Sequence, residues 1–318
     1  MLTRSQVVLI AALVVSLVVT LFSNQIDPYY LLVIVNVGIN VILAVSLNLI
    51  NGYTGQFSLG HAGFMAVGAY TSAAITLFFG PKFFGAVGSS GTATIWVLFL
   101  FALVAGGLVA AFAGLIVGIP SLRLKGDYLA IVTLGFGEII RVILRNFESL
   151  GGALGLNGIP SYTNFFWTYG FAALTIYVVV SMVHSTYGRG FLAVHDDEVA
   201  AEAMGINTTR YKIVAFVVGA FFAGIAGGIY AHSVRSIDPR GFDFIKSIEI
   251  VVMVILGGMG NTIGVILAAI LLTLLPEFLR PIAEYRMMLY SLLLIVLMLT
   301  RPEGLFTLRR KAKVKECK

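Results

Sequence analysis

The chain has 318 residues, of which 59% are hydrophobic and only 11% are charged, and its mean hydropathy is +0.98. Soluble domains carry about 25% charged residues, so this composition excludes a soluble globular protein. The single cysteine excludes an intramolecular disulfide and a multi-cysteine metal site. The net charge of +6 owes much to a basic C-terminal tail, so we expect no nucleic-acid partner.

The first apolar segment, residues 7–22, follows Arg4 and has the outline of a secretory signal peptide. The residues after it lack a small-x-small cleavage pattern, and further apolar segments follow. We therefore expect a retained first helix.

Apolar segments recur along the chain. No Asp, Glu, Lys or Arg occurs at residues 28–81 or 83–122, and about 20 apolar residues cross the hydrocarbon core once. The sequence therefore predicts an all-α polytopic membrane protein in contact with lipid. It has about ten predicted transmembrane helices, at residues 7–22, 30–50, 59–79, 94–119, 127–146, 165–183, 211–231, 246–256, 262–275 and 287–300.

The eighth and ninth segments are short for full spans. They predict either half-helices or a hairpin that turns at residues 257–261. Residues 1–308 are predicted to form the transmembrane domain, and residues 309–318 a basic cytoplasmic tail. This tail follows the positive-inside rule, and an even number of spans puts the N-terminus on the same side. We expect both termini and the loop 187–212 to be cytoplasmic.

Small residues are spaced for close helix packing. Gly114 and Gly118 form one GxxxG pattern, and Gly224 and Gly228 form another. Such residues let the backbones of membrane helices approach closely. We interpret both patterns as packing within the chain, with a dimer face as the alternative.

Polar residues interrupt the uncharged stretch at residues 48–64. Irregular backbone near a bilayer is tolerated beside protein or a water-filled cavity, and interrupted helices often face a transport pathway. An ordinary glycine-rich turn is the alternative, and a lone histidine is more typical of packing than of a ligand. The candidates for a substrate pathway are Asn48, Asn51, Gly52, Gln56, Ser58, Gly60 and His61.

The next informative segment, residues 123–160, carries charges and glycines. Glu138 and Arg141 are spaced i, i+3, so they can form an ion pair on one helix face. We favour this structural role over an intramembrane functional pair. The glycine-rich residues 151–160 predict an external loop that closes over or docks a partner.

The polar segment 187–212 lies between long stretches almost free of charge and predicts a short helix offered to a partner, with a solvated connector as the alternative. Asp196 is the predicted N-cap, and Asp197 and Glu198 complement the helix dipole in the first turn. Gly205 is predicted just beyond the helix, in a left-handed conformation. A helix of about two turns is too short to be stable alone in water, so we expect it to dock. Its predicted contacts are the apolar Val199, Ala200, Ala203 and Met204 and the polar Glu202.

Motifs of enzyme chemistry are absent from the sequence. No Gly-Lys pair occurs, so there is no Walker A phosphate loop, and no His/Glu zinc pattern is present. Glycines at 258, 260 and 264 match a dinucleotide fingerprint only faintly, and they join apolar segments rather than a strand and a helix. We therefore predict no catalytic, cofactor-binding or metal-binding residue.

Four segments resemble one family of membrane proteins. They are GYTGQFSLGHAGFMAVGAY, GDYLAIVTLGFGEIIRVILRN, GRGFLAVHDDEVAAEAMGINTTRYKIVAFVVGAFFAGIAGGIYA and ILGGMGNTIG. Together they resemble branched-chain amino acid ABC permeases of the LivM type, over about residues 48–264. As a group these motifs are specific for the permease family and much weaker for its substrate.

The resemblance implies the permease subunit of an ABC importer in a bacterial-type cytoplasmic (inner) membrane. The implied partners are a LivH-like permease subunit, two ABC ATPase subunits and an extracytoplasmic amino-acid-binding protein, with ATP hydrolysis in the separate subunits. It also implies that the loop matching residues 190–205 couples to the ATPase. The coupling residues would then be Asp196, Asp197, Glu198, Val199, Ala200, Glu202, Ala203, Met204 and Gly205.

Two departures from the family pattern are visible. His195 stands where an arginine is expected before the acidic run, which leaves open how that end of the helix docks. Residues 151–156 lack the usual Thr-Gly-Gly with a following Asn, which puts the binding-protein contacts or the substrate in doubt.

Alternative functions remain open at this point. Relatives carry urea, short amides or other amino acids on the same framework. An ion-coupled secondary transporter acting alone is the main alternative of a different class, but the sequence has no clear intramembrane carboxylates for ion coupling. A structural scaffold explains neither the capped helix nor the glycine-rich interruption.

Overall fold

The computed structural model describes residues 4–22, 27–81, 91–121 and 126–280, together with Phe84 and isolated positions between 288 and 304. These residues form helices joined by short connections, and two short strands pair antiparallel. The helices are α1 (Arg4–Phe22), α2 (Pro28–Asn48), α3 (His61–Ala74), α4 (Thr92–Ser121), α5 (Asp127–Asn146), α6 (Phe165–His184), α7 (Gly188–Asp196), α8 (Glu198–Ala203), α9 (Thr208–Val234), α10 (Phe244–Gly257) and α11 (Thr262–Phe278). The strands are β1 (Leu156–Asn157) and β2 (Ser236–Ile237).

Within the described residues, five helices are long and apolar enough to cross a membrane. They are Pro28–Tyr53, His61–Phe79, Ala93–Pro120, Phe165–His184 and Thr208–Val234. The all-α membrane fold is therefore confirmed. Helix α5 has the predicted bounds, but its charged residues keep it out of this set, and the predicted span at 287–300 lies largely outside the described residues. The total of about ten spans stays a prediction.

Helices α10 and α11 form the hairpin that was one of the two predicted alternatives. The chain turns at residues 258–261, and Gly258 and Gly260 both have positive φ, at 90° and 79°. A Cβ on Gly257 would lie 2.4 Å from Cα of Val265, so the two helices approach closely directly beside the turn. Asn261 caps α11 by accepting a hydrogen bond from Gly264 N.

Close backbone contacts hold α9 in the centre of the molecule against α3 and α4. A Cβ on Gly227 would lie 1.9 Å from the carbonyl oxygen of Met65, and a Cβ on Gly68 would lie 2.2 Å from Cα of Gly224. A Cβ on Gly114 would lie 2.6 Å from the Ala220 side chain. The GxxxG patterns therefore serve packing within the chain, which was the favoured interpretation.

Contacts between the loops show which helix ends lie at the same end of the molecule. At one end, which we call the α8 end, the Tyr53 hydroxyl lies 2.8 Å from Oγ1 of Thr262, and a Cβ on Gly55 would lie 3.3 Å from the His195 ring. At the opposite end, the sheet end, β1 pairs with β2 where α9 finishes. There the Tyr29 hydroxyl at the start of α2 also donates to the Glu277 carboxylate.

Candidate functional site

The polar segment 187–212 contains two helices rather than the single helix predicted, and α7 is the one the sequence did not reveal. Its aromatic face is fixed to the start of α9. The ring centroids of Phe191 and Tyr211 lie 5.6 Å apart, and those of Tyr187 and Tyr211 lie 4.4 Å apart. A Cβ on Gly190 would lie 2.3 Å from the Tyr211 ring, so glycine permits this approach. Burial raises the pKa of the Tyr187 phenol, which keeps the hydroxyl uncharged.

The N-cap of α8 is Asp197, so the prediction of Asp196 was wrong by one residue. Asp197 has an extended backbone, and its Oδ1 accepts hydrogen bonds from Val199 N at 2.9 Å and Ala200 N at 3.0 Å. Asp196 is the last residue of α7, and its Oδ1 lies 3.3 Å from Nδ1 of His195. The break between two helices falls at the second aspartate because α7 stays helical through the first.

The C-terminal end of α8 is as predicted. Gly205 has φ of +82°, in the left-handed region that favours glycine. Gly205 N donates to Glu202 O at 2.9 Å, and Ile206 N donates to Ala201 O at 3.0 Å. These two hydrogen bonds form a Schellman motif, which satisfies carbonyls at the end of the helix.

The acidic residues of α8 bind the protein's own helix α9. The Glu198 carboxylate lies 2.7 Å from Nζ of Lys212, whose side chain is only 7% exposed. The Glu202 carboxylate accepts a hydrogen bond from the Thr208 hydroxyl at 2.7 Å. Sequence reasoning missed the roles of Lys212 and Thr208, although a lysine at the start of an apolar helix after an acidic run is a usable signal. Helix α8 is thereby held rigidly on α9.

The opposite face of α8 is apolar and exposed in the described chain. Val199 is 68% exposed and Met204 is 83% exposed. Ala200 and Ala203 are also exposed, whereas Ala201 is buried against the protein. We call Val199, Ala200, Ala203 and Met204 the α8 face. Exposed apolar side chains grouped on one short capped helix are a common feature of protein-interaction sites.

The interrupted segment between α2 and α3 is buried, and side chains from several helices hold it. Helix α2 continues through a π-helical turn, Leu49–Tyr53. Within this turn, Asn51 Oδ1 accepts a hydrogen bond from Ser58 N at 3.2 Å, which ties the following loop to the turn. Thr133 of α5 accepts from Leu59 N at 3.0 Å, and Ser247 of α10 accepts from Ala62 N at 3.2 Å.

The glycines of this segment allow close backbone contacts. A Cβ on Gly60 would lie 2.4 Å from the Thr133 carbonyl oxygen. A Cβ on Gly52 would lie 2.1 Å from Asn48 Oδ1, which itself accepts a hydrogen bond from Gly260 N at 3.0 Å. The segment therefore connects α2, α5 and the α10–α11 turn in one packed unit.

Unused hydrogen-bonding capacity is concentrated in the same segment. Among the described residues, four of its buried side chains have a polar atom without a partner in the chain. These atoms are Nδ2 of Asn48, Oε1 of Gln56, Oγ of Ser58 and Nδ1 of His61. The His61 ring does bond through Nε2 to the Ser46 hydroxyl, at 2.9 Å. Buried polar atoms are nearly always paired, so this segment retains the capacity to bond water or a passing solute.

The predicted ion pair and the glycine-rich loop are both ordered. Arg141 Nη2 lies 2.6 Å from Glu138 Oε2 on one face of α5, which confirms that the two side chains form an ion pair. The loop lies at the sheet end, where its residue Leu156 pairs with Ile237, and Leu154 at its tip is 85% exposed. In the described part of the chain, no group of three or more His, Cys, Asp or Glu side chains is placed to hold a metal ion.

Comparison with known proteins assigns the family. The model of the family described as "Branched-chain amino acid transport system / permease component" matches residues 29–299. The chain belongs to this permease family. Two relatives, from Salmonella typhimurium and Escherichia coli, are named High-affinity branched-chain amino acid transport system permease protein LivM. Each is 36% identical over 307 residues, which cover 86% of this chain and 68% of the relative.

A more distant relative is the corresponding permease protein LivH of Salmonella typhimurium. It is 24% identical over 287 residues, which cover 83% of this chain and 90% of the relative. The resemblance drawn from the sequence motifs is therefore confirmed. The family is a transport component of the membrane rather than a catalytic subunit, and its matched region includes both α8 and the interrupted segment of this permease.

Proposed function

We propose that this permease is the LivM-type subunit of an ABC importer for branched-chain or related hydrophobic amino acids. It works with a LivH-like permease, two ABC ATPase subunits and an extracytoplasmic amino-acid-binding protein. The observation that carries the proposal is the α8 face, which is apolar, exposed and fixed to the transmembrane helix α9 through Glu198 and Lys212. A movement of an ATPase bound to this face would be transmitted directly to α9.

The interrupted segment at residues 48–61 is proposed to border the substrate pathway. Its buried, unpaired polar atoms support this role, because a polar solute that crosses the membrane needs partners within the protein. The same segment meets the α8 end through Gly55 and His195. A movement of α7 and α8 would therefore act directly on the interrupted segment.

The bacterial-type inner membrane and the cytoplasmic position of the α8 end are part of the same proposal. Met204→Cys at the α8 end and Leu154→Cys at the sheet end form a matched pair, because the native side chains are 83% and 85% exposed. Each would be made with Cys317→Ser, which removes the single native cysteine. In intact cells, an impermeant thiol reagent should label the cysteine at 154 and not the one at 204. Labelling of position 204 from outside would reverse the proposed orientation.

The substrate is tested with the complete complex in proteoliposomes. We expect unlabelled isoleucine and valine to compete with labelled leucine for uptake, whereas urea does not. Competition by aromatic amino acids would measure how large a side chain the permease accepts. Competition by urea, or uptake of urea without uptake of leucine, would favour a permease for short amides instead.

A further inference from the structure

A cavity of about 370 Å³ lies between α2, α10 and α11, away from the α8 end. Its volume falls in the range of about 300–1,000 Å³ that is typical of small-molecule sites. None of the pathway candidates at residues 48–61 is among the residues that line it. The cavity is therefore a separate feature of the transmembrane domain.

Charged side chains stand on one part of the cavity wall. Nζ of Lys246 lies 3.2 Å from Oε2 of Glu249, one turn further along α10, and both side chains are partly exposed. Glu277 of α11 adds a second carboxylate to the lining. Charged groups within a transmembrane domain are costly and commonly functional, so this cluster requires an explanation.

The deeper part of the cavity wall is apolar. Ile39, Met253 and Leu272 line it, come from three different helices, and are each at most 3% exposed. Met65 of α3 joins them, and methionine side chains adapt readily to differently shaped apolar partners. This wall can accept aliphatic side chains that differ in branching.

Uncharged polar groups complete the lining. Asn40 Nδ2 donates to Thr273 Oγ1 at 2.9 Å, which orients both side chains in the wall. Pro276 lies inside α11 and has no N–H, so it removes the helical donor from the carbonyl of Leu272. Leu272 and Pro276 both line the cavity.

We propose that this cavity binds the transported amino acid as a zwitterion. The α-carboxylate pairs with Lys246, the α-ammonium pairs with Glu249 and Glu277, and the aliphatic side chain packs against Ile39, Met253 and Leu272. The proposal rests on the proposed transport of amino acids and names the residues that would contact one within this subunit.

The charges of the cavity discriminate between chemical classes. A zwitterion inserted between Lys246 and Glu249 gives each group a new partner of opposite charge and leaves the total charge unchanged. An amine without a carboxylate leaves Lys246 without a partner, and a carboxylate without an amine leaves Glu249 without one, whereas Glu277 keeps its hydrogen bond from the Tyr29 hydroxyl. A charge that loses its partner in this partly enclosed cavity is unfavourable. Urea satisfies neither charge.

Binding can be measured without transport. Asn36 lines the cavity and is partly exposed, so Asn36→Cys with Cys317→Ser places a thiol at its wall. The complex would be purified without its binding protein and treated with a small thiol reagent. Leucine should slow the labelling, whereas leucinamide, 4-methylpentanoate and urea should not. Equal protection by leucine, leucinamide and 4-methylpentanoate would identify an unspecific amphiphile site, and no protection by leucine would also overturn the proposal.

Transport provides the second test. In the complete complex, Lys246→Gln and Glu249→Gln should each lower leucine uptake by about tenfold or more, because each removes a charged partner. Met253→Trp should fill the cavity and block uptake. Ile245→Trp is the matched control, because Ile245 is on the same helix but 63% exposed and does not line the cavity. Its uptake should equal that of the wild type.

The two proposals fail in different ways. A wild-type complex that takes up no leucine would contradict the proposed function. A wild-type complex that takes up leucine, with both glutamine variants transporting at the same rate, would overturn only the cavity proposal. The labelling of Asn36→Cys does not depend on whether Met253→Trp folds, so binding is decided in either case.

Discussion

Ala203→Asp should weaken binding of the ATPase subunits by at least about tenfold and abolish ATP-driven uptake, although the permease still folds. Ala203 lies on the exposed α8 face, so in the described chain the new carboxylate can remain in water. In the assembled transporter it would lose its water against an apolar surface, which is costly for a charge. Co-purification of the ATPase subunits with the variant measures the effect.

The same substitution at the opposite end is the control. Ala153 is exposed in the loop at the sheet end, so Ala153→Asp adds an identical charge far from the α8 face. It should leave ATPase binding unchanged. Gly205→Val is a second variant at the α8 end, because it forces a β-branched residue into φ of +82° at a local cost on the order of 1–3 kcal/mol. Full uptake by both α8 variants at normal membrane levels would show that α8 is only a connector.

Gly227→Ala should destabilise the transmembrane domain more than any single methyl addition on an open helix face. Its Cβ would lie 1.9 Å from the Met65 carbonyl oxygen, so α3 and α9 must separate. Overpacking of this kind costs about 1–3 kcal/mol, and the cost rises when backbone rather than a flexible side chain must move. A thermal unfolding curve of the purified complex measures the loss.

Gly135→Ala is the matched control for this prediction. Gly135 lies inside helix α5, and apart from its chain neighbours and the nearby backbone of its own helix no described atom lies within 4 Å of the position its Cβ would take. Alanine is the better helix former by about 1 kcal/mol, so the control should melt at or above the wild-type temperature. If both variants lowered the melting temperature equally, close packing of α9 on α3 would not be the cause.

Local signals in the sequence predicted part of the fold well. The bounds of α5 match the predicted apolar segment 127–146, and the end of α8 was found because Gly205 is a glycine after a helical run. The hairpin of α10 and α11 was one of the two alternatives predicted from the glycines between two short apolar segments. Each of these features depends on residues close together in the chain.

Features that depend on contacts between distant residues could not be predicted. Helix α7 begins with two glycines, at 188 and 190, which disfavour a helix, and only contact with the Tyr211 ring explains the second of them. The meeting of Lys246 with Glu277 at one cavity likewise requires the folded arrangement of helices.

The most direct test of the proposed function asks which subunits and which energy source leucine uptake requires. Labelled leucine uptake would be measured in proteoliposomes that contain this permease alone, and in others that contain it with the LivH-like permease, the ATPase subunits and the binding protein. We predict accumulation only in the complete system and only with hydrolysable ATP, because the sequence has no phosphate-binding loop. Accumulation by this permease alone, driven by a proton or sodium gradient, would contradict the account and identify a secondary transporter.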